Sequence, residues 1–122
     1  MAYRILAAED DPSILISIEF LLTNGGYAVT TADNGERAWV ALTENTPDLV
    51  VLDVMLPVID GLELCRRIRA TDNLKRTKIL MLSARGRDAE IEKGMQLGAD
   101  AYMTKPFGTR ELLDTVARLL MA

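Results

Sequence analysis

Five times in 122 residues, a short β-rich run is followed by a segment of helical periodicity. The runs are YRILAA (3–8), AVTTA (28–32), LVVLD (49–53), KILMLS (78–83) and DAYMT (100–104). This alternation leaves few ways to pair the strands. Parallel neighbours need a long crossover, and a helix supplies it. Such crossovers are right-handed and pack helices on both faces of the sheet. The first, third and fourth runs are apolar on both sides, which suits strands covered on both faces. The second and fifth are more polar and suit the edges. The spacing therefore predicts an α/β fold, a (βα)5 three-layer sandwich around a doubly wound, parallel, five-stranded sheet. No linker or low-complexity stretch divides it, so residues 1–122 read as one domain.

The helix boundaries are marked chemically. Asp11-Pro12 reads as a cap followed by a first-turn proline. Ile14, Leu15, Ile18, Leu21 and Leu22 then recur on one helical face, until Gly25-Gly26 stops the helix. Asp33 with Glu36 reads as a capping box opening a second helix through Leu42. A third helix follows Gly61 with Leu64, Cys65 and Ile68. A fourth carries Ile91 and Met95 and ends near Gly98. A fifth carries Leu112, Leu113, Val116, Leu119 and Leu120.

Bulk properties narrow the function. A net charge of −4 argues against direct nucleic-acid or anionic-membrane binding. The basic stretch 66–78 has no interleaved aromatics and reads as a solvated helix face and loop. No apolar stretch approaches a membrane-spanning length, and the opening MAYRILAAEDD meets three acids where a signal peptide would stay apolar. A cytoplasmic location is the expectation. The single Cys65 excludes an intrachain disulfide. Histidine is absent, which excludes histidine-based catalysis and any phosphohistidine on this chain.

In doubly wound folds, ligands bind beyond the carboxyl ends of the strands. Those ends carry Glu9, Asp10 and Asp11 after the first run and Asp53 after the third. Ser83 follows the fourth, and Thr104 and Lys105 the fifth. Taken singly, each has an ordinary reading as a cap or turn residue. Together they put several carboxylates, a hydroxyl and an ammonium on one rim. Clustered carboxylates repel, and either raise their pKa values or recruit a cation. An all-oxygen set favours magnesium, manganese or calcium over zinc. The pattern reads as a phosphoryl-transfer site with an Asp as nucleophile.

ILAAEDD, VVLDVMLPVIDG, ILMLSA and GADAYMTKPF, in that order and spacing, resemble the receiver domain of bacterial two-component response regulators. The resemblance covers nearly the whole chain. It implies a flavodoxin-like sheet of order 2-1-3-4-5 and a phosphorylation-dependent switch. Asp53 would accept a phosphoryl group from a histidine kinase or histidine phosphotransfer protein. Magnesium, with manganese or calcium as substitutes, would be held by Glu9, Asp10, Asp53 and the backbone carbonyl of Met55. Ser83 matches the switch hydroxyl, Lys105 the phosphoryl-pairing lysine and Tyr102 the switch aromatic. Ala84 would leave room for the donor. Lys105–Pro106 would be a cis peptide.

The resemblance further implies that phosphorylation remodels the face made by the fourth helix, fifth strand and fifth helix. The output domain or target stays open, as does a phosphorylation-linked homodimer. Asp100 and Arg110 fit the dimer face of the DNA-binding winged-helix subfamily, but Thr115 stands where that subfamily usually has arginine. Val58 stands where the family often has glycine. Ile16 and Phe20 point away from the buried stripe of the first helix, and with Pro106 and Phe107 they form the expected docking face for the histidine partner. The chain is either a stand-alone regulator or a piece of a longer one.

Other readings fit less well. A haloacid-dehalogenase-like phosphatase needs a second Asp two residues after the nucleophile, where Met55 stands. A flavodoxin-type electron carrier wants a Ser/Thr-rich phosphate loop, and EDDPS would repel the flavin phosphate. A degenerate scaffold would not keep every site residue.

Overall fold

The computed structural model describes residues 2–122, and Met1 lies outside the described residues. The strands are β1 (Arg4–Ala8), β2 (Ala28–Ala32), β3 (Leu49–Asp53), β4 (Lys78–Ala84) and β5 (Ala101–Lys105). The helices are α1 (Pro12–Asn24), α2 (Gly35–Asn45), α3 (Gly61–Ala70), α4 (Asp88–Leu97) and α5 (Thr109–Met121), with a 3-10 turn at Asp72–Leu74. All strand pairs are parallel, in the order β2-β1-β3-β4-β5. This is the expected flavodoxin-like topology, with the two more polar runs at the edges.

The period-two alternation of side chains splits the core into two layers. Leu6, Ala8, Val50, Leu52, Ile79 and Met81 face Ala38 and Leu42 of α2 and Leu64, Cys65 and Ile68 of α3. Ile5, Ala7, Leu49, Val51, Leu80, Leu82 and Met103 face Ile18 and Leu22 of α1 and Leu112, Val116 and Leu119 of α5. Cys65 is buried, as a packing residue should be, and burial pushes its thiol up. In α4 only Gly94 is fully buried, against the side chains of Met81 and Leu62. Met95 is 42% exposed, so it does not belong to the buried stripe of α4.

Register puts the polar strand ends at one level. Ala8 pairs with Leu52, so Glu9 and Asp53 emerge side by side. Asp53 pairs with Leu82, Ser83 with Thr104 and Ala84 with Lys105. The start of α3 closes on the end of β3: the Gly61 amide donates to the Val54 carbonyl at 2.9 Å, and a Cβ at Gly61 would collide with the Asp53 carbonyl. Only glycine permits that approach.

Caps largely follow the sequence. Asp11 accepts from the amides of Ser13 and Ile14 at 2.9 and 3.3 Å. The second helix differs. Its cap is Asn34, not Asp33: the Asn34 Oδ1 accepts from the Arg37 amide at 2.9 Å, while Asp33 pairs with the Arg37 guanidinium. Glu36 sits one residue too early to close a box on Asn34.

At the rim opposite the polar strand ends, Arg69 of α3 ties several segments together. It donates to the carbonyls of Gly98, Thr77 and Lys75 at 2.9, 2.8 and 3.1 Å and pairs with Asp100 at 2.8 Å. Arg66 and Arg67 pair with Glu63, whose carboxyl they hold down to about 2. The basic stretch is thus largely absorbed in local pairs, as a solvated helix face would be.

Val58 has φ +74, and the Ile59 amide donates to the Pro57 carbonyl across it at 2.9 Å. A three-residue turn at positive φ is strained, above all for a β-branched residue. The side chain is 74% exposed and offers little packing in return. Relief of a left-handed penalty of about 1–2 kcal/mol, less glycine's extra chain entropy of about 0.5–1 kcal/mol, makes Val58→Gly stabilising by roughly 1 kcal/mol. Urea unfolding checks this, and a midpoint at or below that of the parent chain contradicts it.

Candidate functional site

The rim at the carboxyl ends of β1, β3 and β5 gathers three acids and one lysine. Glu9 and Asp53 are buried, at 0% and 1% exposure, and Asp10 is exposed. Each offers a carboxylate oxygen, and these oxygens all lie within 4.8 Å of one another. Lys105 Nζ is 3.0 Å from Glu9 Oε1 and 3.4 Å from Asp53 Oδ1. Backbone amides supply the rest. Asp11 N donates to Glu9 Oε2 at 3.0 Å, and Met55 N donates to Asp53 Oδ1 at 3.3 Å. Asp11 itself is spent on the α1 cap.

One ammonium faces three carboxylates. At an effective dielectric near 20, two charges this close repel by about 3–4 kcal/mol. Burial raises the Glu9 carboxyl above its ordinary value, and the Asp53 charge adds to this; the Asp11 amide and Lys105 oppose it. Burial also works against the Lys105 ammonium, but the hydrogen bond to Glu9 and the charge of Asp53 outweigh it, and Lys105 titrates above the usual lysine range. The donors are all hard oxygens with an excess of negative charge. That chemistry fits a divalent cation of the magnesium type.

Ser83, at 1% exposure, sits one residue beyond the partner of Asp53 on β4. Its hydroxyl donates to the Ala84 carbonyl at a long 3.4 Å, a weak bond that is easily exchanged. Ala84 is exposed. Lys105–Pro106 is a cis peptide. Tyr102 is 48% exposed, in a groove with Met95 of α4 and Glu111 and Arg118 of α5. Ile16 and Phe20 are 65% and 62% exposed. Phe107 is half-buried beside Phe20 and Ser17, and Pro106 lies with Phe107, Ile14 and Ser17. The carboxylates, Lys105 and Ser83 thus share one rim, while Tyr102 and the Ile16–Phe20 pair lie on separate flanks.

The family model for the response regulator receiver domain matches residues 5–117. The chain belongs to that family. The receiver domain is 48% identical over 117 residues to the transcriptional regulatory protein AfsQ1 of Streptomyces coelicolor, covering 96% of this chain and 50% of that protein. It is 40% identical over 120 residues to the phosphate regulon transcriptional regulatory protein PhoB of Rhizobium meliloti, covering 98% and 53%. The chain therefore spans about half the length of these curated relatives. Among solved structures, the chemotaxis response regulator CheY4 of Vibrio cholerae superposes with a TM-score of 0.92 at 31% identity, covering 98% and 99% of the two chains. The receiver domain of the sensor histidine kinase PA1611 of Pseudomonas aeruginosa, solved with magnesium coordinated in its active-site cleft, gives 0.91 at 33% identity, covering 100% of both.

Two polar assemblies of this receiver domain were not legible beforehand. Arg87 pairs with Glu90 and reaches the Met55 sulfur; only an Arg–Glu spacing of three hinted at it. Asp100 accepts from the Ile79 amide at 2.8 Å as well as from Arg69, so it is held within the chain. No helix among the described residues is long and apolar enough to cross a membrane.

Proposed function

We propose that this receiver domain takes a phosphoryl group onto Asp53 from a phosphohistidine of a histidine kinase or histidine phosphotransfer protein, and that the modified state controls an output partner. The observation that carries the reading is a buried Asp53 inside an acidic cluster that a single lysine does not balance. Glu9, Asp10, Asp53 and the Met55 carbonyl would hold magnesium, which supplies charge neutralisation at the acids and at the phosphoryl oxygens. The related PA1611 domain supports that choice of ion.

In the transfer, an Asp53 carboxylate oxygen bonds to phosphorus as the phosphorus–nitrogen bond of the donor breaks. The electron pair stays on the imidazole nitrogen. Lys105, already on the Asp53 carboxylate, meets one developing phosphoryl charge. The new dianion draws the Ser83 hydroxyl off the Ala84 carbonyl through a charge-assisted bond. Tyr102 can then turn inward from its groove, which alters the α4–β5–α5 face. Water attack at phosphorus releases phosphate and restores Asp53. The domain acts as a phosphoacceptor assisting its own phosphorylation and dephosphorylation, not as an enzyme on a separate substrate; Met55 leaves a dehalogenase-type phosphatase without its second acid. Membrane and direct nucleic-acid contacts play no part in this reading.

Intact mass after incubation with acetyl phosphate and magnesium tests it. One adduct mapping to residue 53 is expected. None, or one elsewhere, overturns the reading. With a phosphohistidine protein as donor, the same assay examines the flank formed by Ile16, Phe20, Pro106 and Phe107. Phe20→Ser should slow that transfer while acetyl phosphate labelling proceeds as before. Equal losses from both donors would remove docking as the role of Phe20.

A further inference from the structure

We infer that Arg87 is a phosphoryl-binding positioning residue, which exchanges its partner Glu90 for the phosphoryl group carried on Asp53. The inference rests on the phosphoacceptor reading above. In the unmodified chain, Arg87 Nε donates to Glu90 Oε1 at 2.9 Å and Nη2 donates to Glu90 Oε2 at 2.5 Å. The same Nη2 lies 3.5 Å from the Met55 sulfur. The Met55 amide in turn holds Asp53 Oδ1 at 3.3 Å. The guanidinium is therefore parked one methionine side chain away from the acceptor carboxylate.

The resting pair is a two-bond fork that solvent still reaches. Arg87 and Glu90 side chains are 43% and 21% exposed, so the pair is partly screened and yields only to a stronger anion. A phosphoryl group brings nearly two charges and three acceptor oxygens, which a guanidinium engages in a fork. The backbone also permits the movement. Gly86, immediately before Arg87, has φ +85 and open space around it, and α4 begins without any side-chain cap.

The exchange would be felt in the helix. The Arg87 carbonyl accepts from the amides of Glu90 and Ile91 at 3.0 and 3.3 Å, which makes Arg87 the first link of α4. Drawing its guanidinium toward Asp53 pulls on that first turn and releases Glu90. Ser83 and Arg87 would then report the same phosphoryl group to the two ends of one loop.

Beryllofluoride with magnesium, a phosphoryl mimic, gives a binding readout free of turnover. Titration calorimetry should show Arg87→Ala weakening beryllofluoride affinity about tenfold, the scale of one charge-assisted bond. Arg87→Lys, which keeps the charge without the fork, should fall between. Glu90→Gln should tighten binding a few-fold by freeing Arg87, and this gain should vanish in the Arg87→Ala background. Magnesium affinity without beryllofluoride should be the same in the parent and all four variants. Unchanged beryllofluoride affinity in Arg87→Ala overturns the inference. So does a Glu90→Gln gain that persists without Arg87, or a matching loss of magnesium affinity. If the parent chain itself takes up no beryllofluoride, the phosphoacceptor reading fails first and this one falls with it.

Discussion

Asp53→Asn should carry no phosphoryl adduct under conditions that label the parent chain fully, and in chelator it should be more stable than the parent. The first outcome follows because an amide oxygen is not a competent nucleophile toward phosphorus. The second follows from the charges. Asp53 is repelled by Glu9 and Asp10 and attracted by one Lys105. Two repulsions at under 5 Å outweigh one attraction at 3.4 Å by about 2 kcal/mol, and because solvent screens the exposed Asp10, removing the charge relieves about 1–2 kcal/mol. Magnesium should stabilise the parent by mass action and the variant much less. Urea unfolding in chelator and in magnesium reads both. A variant less stable than the parent in chelator would show that the acidic cluster is not under electrostatic stress.

Lys105→Met should be the most damaging single change at the site. It leaves Glu9, at 0% exposure, without a counter-charge. Breaking a buried pair costs about 3–5 kcal/mol; because the Lys105 side chain keeps 21% exposure, about 2–3 kcal/mol is expected at neutral pH.

The pH dependence has a definite sign. Burial raises Glu9 in the folded chain above its unfolded value. The folded state therefore binds the proton more tightly than the unfolded one, and this contribution is complete below the ordinary carboxylate range. It is lost as pH climbs through the raised value. Without Lys105 the raised value moves higher still. The deficit of Lys105→Met should thus be largest at neutral pH and shrink in mild acid, where Glu9 enters the fold neutral. A deficit independent of pH would mean that packing of the lysine stem, not charge, holds the site.

The fold was legible because its signal is periodic. Strand runs and helix stripes repeat over enough residues that boundary shifts of one position, as at β5, change nothing. The site was legible because register does the assembling: four strand ends brought level put Glu9, Asp53, Ser83 and Lys105 on one rim. What was missed depends on choices between neighbours. Asp33 and Asn34 are both good caps, and only the backbone conformation at Asn34 selects it. Met95 sits at helical spacing from Ile91, yet the short α4 turns Gly94 inward, where the Met81 side chain fills the space. Asp100 reads as an acid of the dimer face, and its pairing with Arg69, thirty-one positions earlier, has no local signal in the sequence.

Arg69 grips the turn after α4 through the Gly98 carbonyl and Asp100, whereas the Asp88 end has no side-chain cap and is tied to another segment through the weaker contact of Arg87 with the Met55 sulfur. A helix clamped at one tip behaves as a lever. At about 1.5 Å per residue, ten residues make an arm near 15 Å, so a tilt of roughly 5° sweeps the free tip by about an ångström. Such a tilt would pivot at the rim away from the acids and move the tip that lies beside them.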